Sequence, residues 1–312
     1  MARTHYLPED VVHYAWDHTL PPALEVDSGD VVVYQLREVT DNQISPRSTA
    51  VDLGRLDWNR LYPLGGPVFV RGARPGDVLE VEILDLHPLG WAWSAILPGF
   101  GLLEADFTEP YLHIWDLSPG DHTVLRPDIR IPLDPFCGTM GVAPAEKGPF
   151  PVMPPGKFGG NMDTRHLTCG TRLLLPVQVD GALFSVGDGH AAQGDGEVCV
   201  TGMECPMHAA LRFHVRRDRS IAEPQFTTPG PLTTKYDRRG YHATMGVHPD
   251  LMEAARNAVR HMIDHLVHTC RLSREQAYIL CSVAVDLKIS ECVDKPNWIV
   301  SAYVPLAIFV ER

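Results

Sequence analysis

Apolar and polar residues alternate with a period of two along much of the first 220 residues. The clearest runs are short and rich in β-branched residues, and Pro/Gly-rich segments separate them. This alternation is typical of half-buried β-strands. The runs that carry it are 31–34, 68–70, 78–83, 173–177 and 211–215. The pattern predicts a mainly antiparallel β-structure, a sandwich or a barrel with long loops.

Turn signals lie between several of these runs. Glycine is followed directly by aspartate at Gly29-Asp30, Gly76-Asp77 and Gly120-Asp121. Glycine supplies a positive φ, and the short aspartate side chain caps the turn locally. Asp180-Gly181 predicts a fourth turn, between VQV and ALFSV.

The periodicity changes to that of a helix after about residue 245. Apolar residues from Leu251 to Leu266 fall on one side at helical spacing, and Pro249 suits the first helical position. Ser273 and Gln276 form a capping box that opens a second helix, extending to about Leu287. The link between the helices is short and therefore predicts an antiparallel pair.

A strand is predicted at the end of the chain, over residues 298–309, with Pro305 confining it to an edge or a bulge. The fold class predicted is mainly β, with an α+β C-terminal part that contains a helical hairpin. We predict a β domain over residues 1–225 that carries the functional site. Residues 226–312 form the second part, which could be interwoven with the first.

Composition and charge exclude several classes of function. The chain has 312 residues, of which 45% are hydrophobic and 21% charged, which is typical of a globular protein. The formal net charge of −12 argues against nucleic acid as a partner. No apolar stretch approaches the ~20 residues of a membrane helix, and the N-terminus lacks a secretory signal. We expect a cytoplasmic protein without a membrane partner.

The seven cysteines are odd in number and irregularly spaced, which indicates reduced thiols. Cys137 and Cys169 are alternative nucleophiles, but each would need a lowered pKa and a neighbouring base. His261, His265 and His268 lie on one helical face, which we interpret as a solvated face rather than a metal site.

The densest polar segment of the chain is GDGHAAQGDGE, residues 187–197. It brings Asp188, His190, Asp195 and Glu197 together between two predicted strands, and its glycines allow the backbone to bend. Imidazole and carboxylate ligands suit zinc or another first-row metal, and carboxylates alone suit calcium. The structural alternative is a polar turn whose aspartates cap backbone amides.

A Pro/Gly-rich loop upstream, residues 154–166, presents a second set of polar side chains. Asp163 could supply a metal ligand from a second strand. Asn161 could direct its amide at a carbonyl oxygen. The alternative is an ordinary solvated loop.

These two segments and their flanks resemble the acetamidase/formamidase family. The matching text is PPGKFGGNMD at 154–163 and FSVGDGHAAQGDGE at 184–197, with further support at 98–103, 141–146 and 281–286. The resemblance covers nearly the whole chain. It implies a mainly β hydrolase with an added helical part, acting on small aliphatic amides with release of ammonia. It also implies a divalent metal and a homo-oligomer.

The residues support a hypothesis for the site. Asp163, Asp188 and His190 would bind the metal, with zinc expected and calcium as the alternative, because zinc lowers the pKa of bound water to about 7. Two other functions stay open. One is a metal-dependent hydrolase of another C–N bond, and the other is a non-catalytic, metal-containing β-sandwich that binds a ligand.

Acid–base chemistry would fall to a carboxylate, because ammonia is a poor leaving group until it is protonated. Glu197 is the first candidate for this base, and Glu146 and Glu204 are its rivals. Asn161 or a backbone amide would stabilise the oxyanion.

Overall fold

The structure is a computed structural model and describes residues 2–232 and 235–310. The strands in chain order are β1 (Thr4–Leu7), β2 (Val12–His13), β3 (Leu24–Val26), β4 (Val31–Leu36), β5 (Leu64–Val70), β6 (Val78–Pro88), β7 (Trp91–Ile96), β8 (Tyr111–Asp116), β9 (His122–Arg126), β10 (Ile129–Pro132), β11 (Phe136–Gly141), β12 (Gly159–Asn161), β13 (Arg172–Pro176), β14 (Phe184–His190), β15 (Met207–Arg216), β16 (Gln225–Thr227), β17 (Tyr241–His248), β18 (Asp286–Glu291) and β19 (Trp298–Pro305). The helices are α1 (Ala50–Leu53), α2 (Leu251–Cys270) and α3 (Arg274–Ala284), and turns of 3₁₀-helix cover Trp58–Arg60, Asp237–Arg239 and Leu306–Ile308.

Two six-stranded sheets form the main body. The first has the order β1-β4-β15-β6-β13-β16 and is antiparallel except for the pair β1–β4. The second has the order β12-β11-β14-β5-β2, and β3 lies parallel to β5. The two sheets share one hydrophobic core, in which the rings of Phe184 and Phe213 meet at 5.0 Å. The prediction of a mainly antiparallel β-structure is confirmed, and neither sheet closes into a barrel among the described residues.

Four of the five strand runs predicted from alternation lie within β4, β5, β6 and β15, and the run 173–177 extends one residue beyond the end of β13. The turn at Asp180-Gly181 is also present, with Gly181 at a φ of 73°. It leads from β13 in the first sheet to β14 in the second, so it crosses the sandwich. This crossing delivers β14, which carries the GDGH segment, to the centre of the second sheet.

The helical hairpin is present, with two corrections to its ends. The side chain of Asp250 accepts hydrogen bonds from two backbone amides of α2, so Asp250 is the N-cap and Pro249 precedes the helix. The capping box of Ser273 and Gln276 is confirmed. The second helix ends at Ala284, not near Leu287, because the chain becomes extended at Val285 and continues into β18.

The last predicted strand is shorter than expected and lies at the centre of its sheet. The order β17-β19-β18 places β19 between two partners, so the prediction of an edge strand is wrong. Pro305 is tolerated because it is the last residue of β19, beyond the last residue that pairs with β18.

The C-terminal hairpin holds the loop that follows β14. Gly194 donates to the carbonyl oxygen of Ser282 at 2.9 Å, and the hydroxyl of Ser282 bonds both Cys199 and Thr201. A Cβ at Gly194 would lie 2.1 Å from a backbone oxygen of Val285, so only glycine allows this approach. The boundary predicted at residues 225 and 226 falls within β16, and the division into two parts stays a prediction.

None of the helices in residues 2–232 and 235–310 is long and apolar enough to cross a membrane.

Replacing Ser282 with alanine tests this support of the loop. The variant S282A leaves the buried amide of Cys199 without a partner and removes the shorter of two hydrogen bonds to the carbonyl oxygen of Thr201. We therefore expect the free energy of unfolding to fall by about 1–3 kcal/mol. Urea denaturation measures the loss. The matched control is S220A, at an exposed serine in the loop after β15, for which we expect a change within about 0.5 kcal/mol. Equal losses in both variants would contradict a special role for Ser282.

Candidate functional site

Four acidic side chains and one imidazole converge where the strands of the second sheet end. Asp188 and His190 come from the end of β14, and Asp163 follows β12 by two residues. Glu197 lies in the loop after β14. Glu204 joins this group through isolated backbone bridges to Trp93 and His190. The sequence-predicted residues Asp163, Asp188, His190 and Glu197 are therefore brought together.

His190 is the centre of the cluster. Its Nε2 atom lies 2.9 Å from Oε2 of Glu204, which is a hydrogen bond. The same nitrogen lies 3.5 Å from Asp188 and 3.7 Å from Glu197. The other ring nitrogen, Nδ1, lies 4.0 Å from Oδ1 of Asp163. One imidazole is thus surrounded by four carboxyl groups.

Three of the acidic residues have a left-handed backbone. The φ angles are 44° at Asp163, 59° at Asp188 and 43° at Glu197. Non-glycine residues rarely adopt this conformation, and each instance costs on the order of 1 kcal/mol. The surrounding hydrogen bonds must compensate for this strain. Such strain is typical of functional sites, where the direction of a side chain is maintained at a cost in backbone conformational energy.

Gly138 provides the space in which the side chains converge. It lies on β11, across from Asp188 and between the pairs Cys137–Gly189 and Thr139–Gly187. A Cβ at this position would lie 2.4 Å from Oδ1 of Asp163, 2.7 Å from Oδ2 of Asp188 and 2.8 Å from Cε1 of His190. Any larger residue would occupy the centre of the cluster.

Thr139 on β11 and Asn161 on β12 connect the cluster to these two strands of the second sheet. The hydroxyl of Thr139 donates to Oδ1 of Asn161 at 2.7 Å and lies 3.3 Å from Oδ2 of Asp188. The amide of Asn161 donates to the carbonyl oxygen of Met153 at 3.2 Å. An amide nitrogen has two hydrogens, so one N–H of Asn161 remains for another acceptor.

Burial raises the pKa of every carboxyl group in the cluster. The pKa values of Asp163 and Asp188 rise to about 7, first because burial disfavours the charged form and then because acidic neighbours repel it. The pKa values of Glu197 and Glu204 rise well above the ordinary range for the same reasons. The site therefore retains protons near neutral pH.

The acids also act on one another through their charges. The charge of Asp188 raises the pKa of Asp163, and the charge of Asp163 raises the pKa values of Glu197 and Glu204. Like charges at short range disfavour the ionised form of each acid.

A cavity of about 120 Å³ opens onto the cluster. Asn161, Asp163, Asp188, Glu197 and Glu204 all line it. None of the described residues that line it is a lysine or an arginine. The arrangement suits acid–base chemistry on a small uncharged molecule.

Glu146 and Asp195 are predicted residues that the structure does not bring to the cluster. Oδ2 of Asp195 lies 3.8 Å from Nε2 of His166 instead. Glu146 is exposed and lines a separate surface depression with Phe150 and Lys157. A side chain in bulk solvent cannot exchange a proton inside the buried cavity. We therefore leave Glu146 out of the site and keep Glu197, with Glu204 beside it.

The alternative chemistries do not assemble around the cysteines or the helical histidines. Burial raises the pKa of the Cys137 thiol, which makes it a poor nucleophile. Cys169 is exposed and bonds the carbonyl oxygen of Leu84. On α2, His261 bonds the carbonyl oxygen of Met245, and His265 stacks on His242 with ring centres 3.6 Å apart.

Sequence analysis missed three contributors to the site. Gly138 and Thr139 lie within the apolar strand β11, and Tyr62 lines the cavity from the loop before β5. A glycine inside a strand signals close backbone approach, so FCGTMG offered a usable signal. Tyr62 offered none, because its position depends on the long connection between β4 and β5.

Comparison with known proteins identifies the class of this protein. The model of the acetamidase/formamidase family matches residues 3–149 and 150–311. The formamidase of Methylophilus methylotrophus is 27% identical, with 96% of this chain and 89% of the relative covered. The chain belongs to the acetamidase/formamidase family, and it is an amidase, a hydrolase of C–N bonds in linear amides.

Two solved structures are similar over nearly the whole chain. A gamma lactamase from Delftia acidovorans superposes with a TM-score of 0.89 at 27% identity, with 96% of this chain and 90% of that chain covered. An acetamidase from Bacillus halodurans superposes with a TM-score of 0.69 at 32% identity, with 96% and 97% covered.

The carboxyl cluster predicts an unusual dependence of stability on pH. The pKa values of Asp163 and Asp188 are about 7 when folded, against an ordinary value of 3.8. The folded state therefore binds more protons than the unfolded state between these values, and stability falls as pH rises. For metal-free protein, we expect the free energy of unfolding to fall between about pH 4 and pH 7.

Denaturation of the chelated protein at a series of pH values measures this slope. The double variant D163N/D188N removes both titrating groups, so its slope should be shallower. An increase in wild-type stability over the same interval would contradict the assignment.

Proposed function

We propose that this chain is a divalent-metal-dependent amidohydrolase that converts small neutral amides and water into carboxylic acids and ammonia. The observation that carries the proposal is a pair of unpaired buried atoms at the end of the cavity. Oδ1 of Asp163 and Nδ1 of His190 have no hydrogen-bond partner, and they lie 4.0 Å apart. Buried polar atoms are rarely left unpaired, so both indicate a missing ligand.

The donor set suits a divalent cation. Ligand atoms of Asp163, His190 and Glu197 lie within 4.8 Å of one another, and so do those of Asp188, His190 and Glu204. Asp163, Asp188 and His190 also converge on the space beside Gly138. We assign the metal to these three residues. An imidazole among the ligands favours zinc over calcium.

The charge of the cluster supports a metal ion with a charge of +2. Asp163 and Asp188 have pKa values of about 7, so both hold protons below neutral pH, and one divalent ion would replace these two protons. Metal binding to protonated ligands releases protons. Without protons or a metal, the four acids would repel one another in a cavity whose described lining has no lysine or arginine.

Glu204 positions His190. Its Oε2 atom bonds Nε2 of His190, and its Oε1 atom accepts a bond from the amide of Gly202 at 2.8 Å. A neutral imidazole that donates from Nε2 presents a lone pair on Nδ1. Carboxylates commonly fix metal-binding histidines in this way. With both oxygens engaged, Glu204 is a weaker candidate for the base.

Glu197 is the stronger candidate for acid–base catalysis. It lines the cavity, and burial and the charge of Asp163 raise its pKa. In the reaction, Glu197 accepts a proton from the attacking water and passes it to the departing nitrogen, which leaves as ammonia. A raised pKa suits this exchange near neutral pH.

Asn161 is placed to stabilise the oxyanion. It lines the cavity, and its oxygen is held by Thr139, so the remaining N–H faces a fixed direction. That N–H would donate to the carbonyl oxygen of the amide. A bound divalent metal would polarise the same carbonyl and lower the pKa of water.

The decisive experiment measures ammonia release and metal content on the same samples. The zinc-loaded protein should release ammonia from acetamide and formamide, and chelation should abolish release. D188N and H190A should lose metal and about 100-fold or more in kcat/KM. E197Q should keep its metal and lose about 100-fold in kcat. E146Q is the matched control, and both quantities should stay at the wild-type level.

Full metal content and full activity in D188N and H190A would refute the metal assignment. A direct titration gives an independent readout. Zinc added to metal-free protein at about pH 6 should release about two protons. Uptake of zinc without proton release would contradict the raised pKa values of Asp163 and Asp188.

A cyclic amide is the second candidate substrate. The observation that favours it is the TM-score of 0.89 to the gamma lactamase, against 0.69 to the acetamidase. Opening a lactam forms an amino acid and releases no ammonia, so product analysis by mass spectrometry separates the two reactions. Pyrrolidin-2-one should be opened with a kcat/KM at least equal to that for acetamide if this candidate is right. Absence of the amino acid would eliminate it.

A further inference from the structure

The cavity has an aromatic entrance opposite its acidic end. Trp58 is 48% exposed and Phe100 is half-buried, whereas Glu204 is only 2% exposed. All three line the same cavity. The cavity therefore runs inward from Trp58 and Phe100 to the carboxyl groups. A substrate whose amide reaches the acids must place its other end near the two rings.

The two aromatic rings form a fixed wall. Their centres lie 5.2 Å apart and their planes differ by 18°, so they stack. Arg60, on the same helical turn as Trp58, donates two hydrogen bonds to Oδ2 of the buried Asp41, at 2.8 and 2.6 Å. Asp41 also accepts from Arg37 at 2.6 Å. These bonds hold the turn that carries Trp58.

The loop that carries Phe100 is tied to the catalytic segment. The amide of Leu102 donates to the carbonyl oxygen of Val198, next to Glu197, at 2.8 Å. A rigid aromatic surface next to the acids provides contact area at a low entropic cost. The entrance is thus part of the same rigid unit as the acidic residues.

The lining sets three limits on the substrate. Leu56, Leu97 and Val200 continue the apolar wall. Anionic substrates are disfavoured, because four acids and no lysine or arginine line the cavity among the described residues. The volume of about 120 Å³ corresponds to roughly four water molecules, which excludes peptides and large acyl chains.

We propose that the preferred substrate is a neutral amide whose acyl carbon carries a compact branched or alicyclic hydrocarbon group, and that Trp58 and Phe100 determine this specificity. The inference rests on the proposed amide hydrolysis and names the substrate class of the same site. Formamide has no carbon group and would leave the aromatic wall without a contact. A single methylene group in a hydrophobic pocket typically changes kcat/KM by about 10- to 200-fold.

The experiment compares cyclopropanecarboxamide and isobutyramide with formamide, using the zinc-loaded full chain. Amides differ in intrinsic reactivity, so the quantity measured is the ratio of kcat/KM values for a compact amide and formamide. W58A and F100A should lower this ratio by at least about 10-fold. W58F keeps a ring and should restore most of the ratio.

The matched control is F226A. Phe226 is 44% exposed on the edge strand β16 and lies outside the cavity. The ratio of kcat/KM values for a compact amide and formamide should therefore be the same in F226A and in wild type. Hexanamide, which exceeds the cavity, should be a poorer substrate than isobutyramide. Equal loss on formamide and on the compact amides in W58A would overturn the proposal, because it would indicate a structural role. An unchanged ratio in both W58A and F100A would overturn it as well.

These outcomes separate the specificity from the proposed function. Ammonia release from formamide with an unchanged ratio refutes the specificity alone. Release from none of the amides refutes the proposed function. Titration calorimetry with cyclopropanecarboxamide then tests the entrance by itself. Binding to wild type that is weakened at least about 10-fold in W58A supports the aromatic wall, and equal binding to both proteins overturns it.

Discussion

The structure depends on keeping four carboxyl groups around a single buried imidazole. Carboxylates repel one another, and burial makes each charge more costly still. Within the described residues that line the cavity, no lysine or arginine offsets this charge. Burial and this repulsion raise the pKa values of Asp163 and Asp188 to about 7, so both retain protons below neutral pH. Positive charge from protons or a metal is therefore a condition of the fold at this point.

The scaffold provides this arrangement from two sides. The second sheet supplies Asp188 and His190 directly, and Gly138 on the neighbouring strand leaves room for their side chains. The C-terminal hairpin holds the loop with Glu197 through Ser282. Asp286, just beyond α3, forms a buried ion pair with Arg165 in the loop that carries Asp163. Support from both parts compensates for the left-handed backbone of the acidic residues.

Much of the β-structure could be predicted, because alternation in the sequence reflects burial on one face of a sheet. The capping box at Ser273 was equally local and was predicted correctly. Errors arose where tertiary pairing decided the outcome. The end of α3 at Ala284 follows from the pairing of β18 with β19, which local propensity does not encode. Pro305 was misleading because its position within a strand, at the end or in the middle, cannot be read from one sequence.

In the site, too, local patterns could be predicted and tertiary contacts could not. Asp163, Asp188, His190 and Glu197 were found because glycine-rich text and polar clustering are visible in sequence. Glu146 was misplaced because acidic residues in a loop look alike whether they face solvent or a cavity. The aromatic entrance was not anticipated at all. Trp58 and Phe100 lie 42 residues apart in the chain, and only the fold brings their rings together.

The electrostatics of the cavity and its choice of substrate have one common cause. A cavity lined by acids with raised pKa values can donate a proton to a departing nitrogen near neutral pH, which fully ionised carboxylates would do poorly. The same acids disfavour an anionic substrate, so recognition must come from uncharged groups. Apolar contact at Trp58 and Phe100 meets this requirement without adding charge near the acids. A cationic side chain at the entrance would favour anionic substrates but would also lower the raised pKa values on which proton transfer depends. In the proposed function, acid–base catalysis and apolar recognition are thus two consequences of a cavity whose described lining has no cationic side chain.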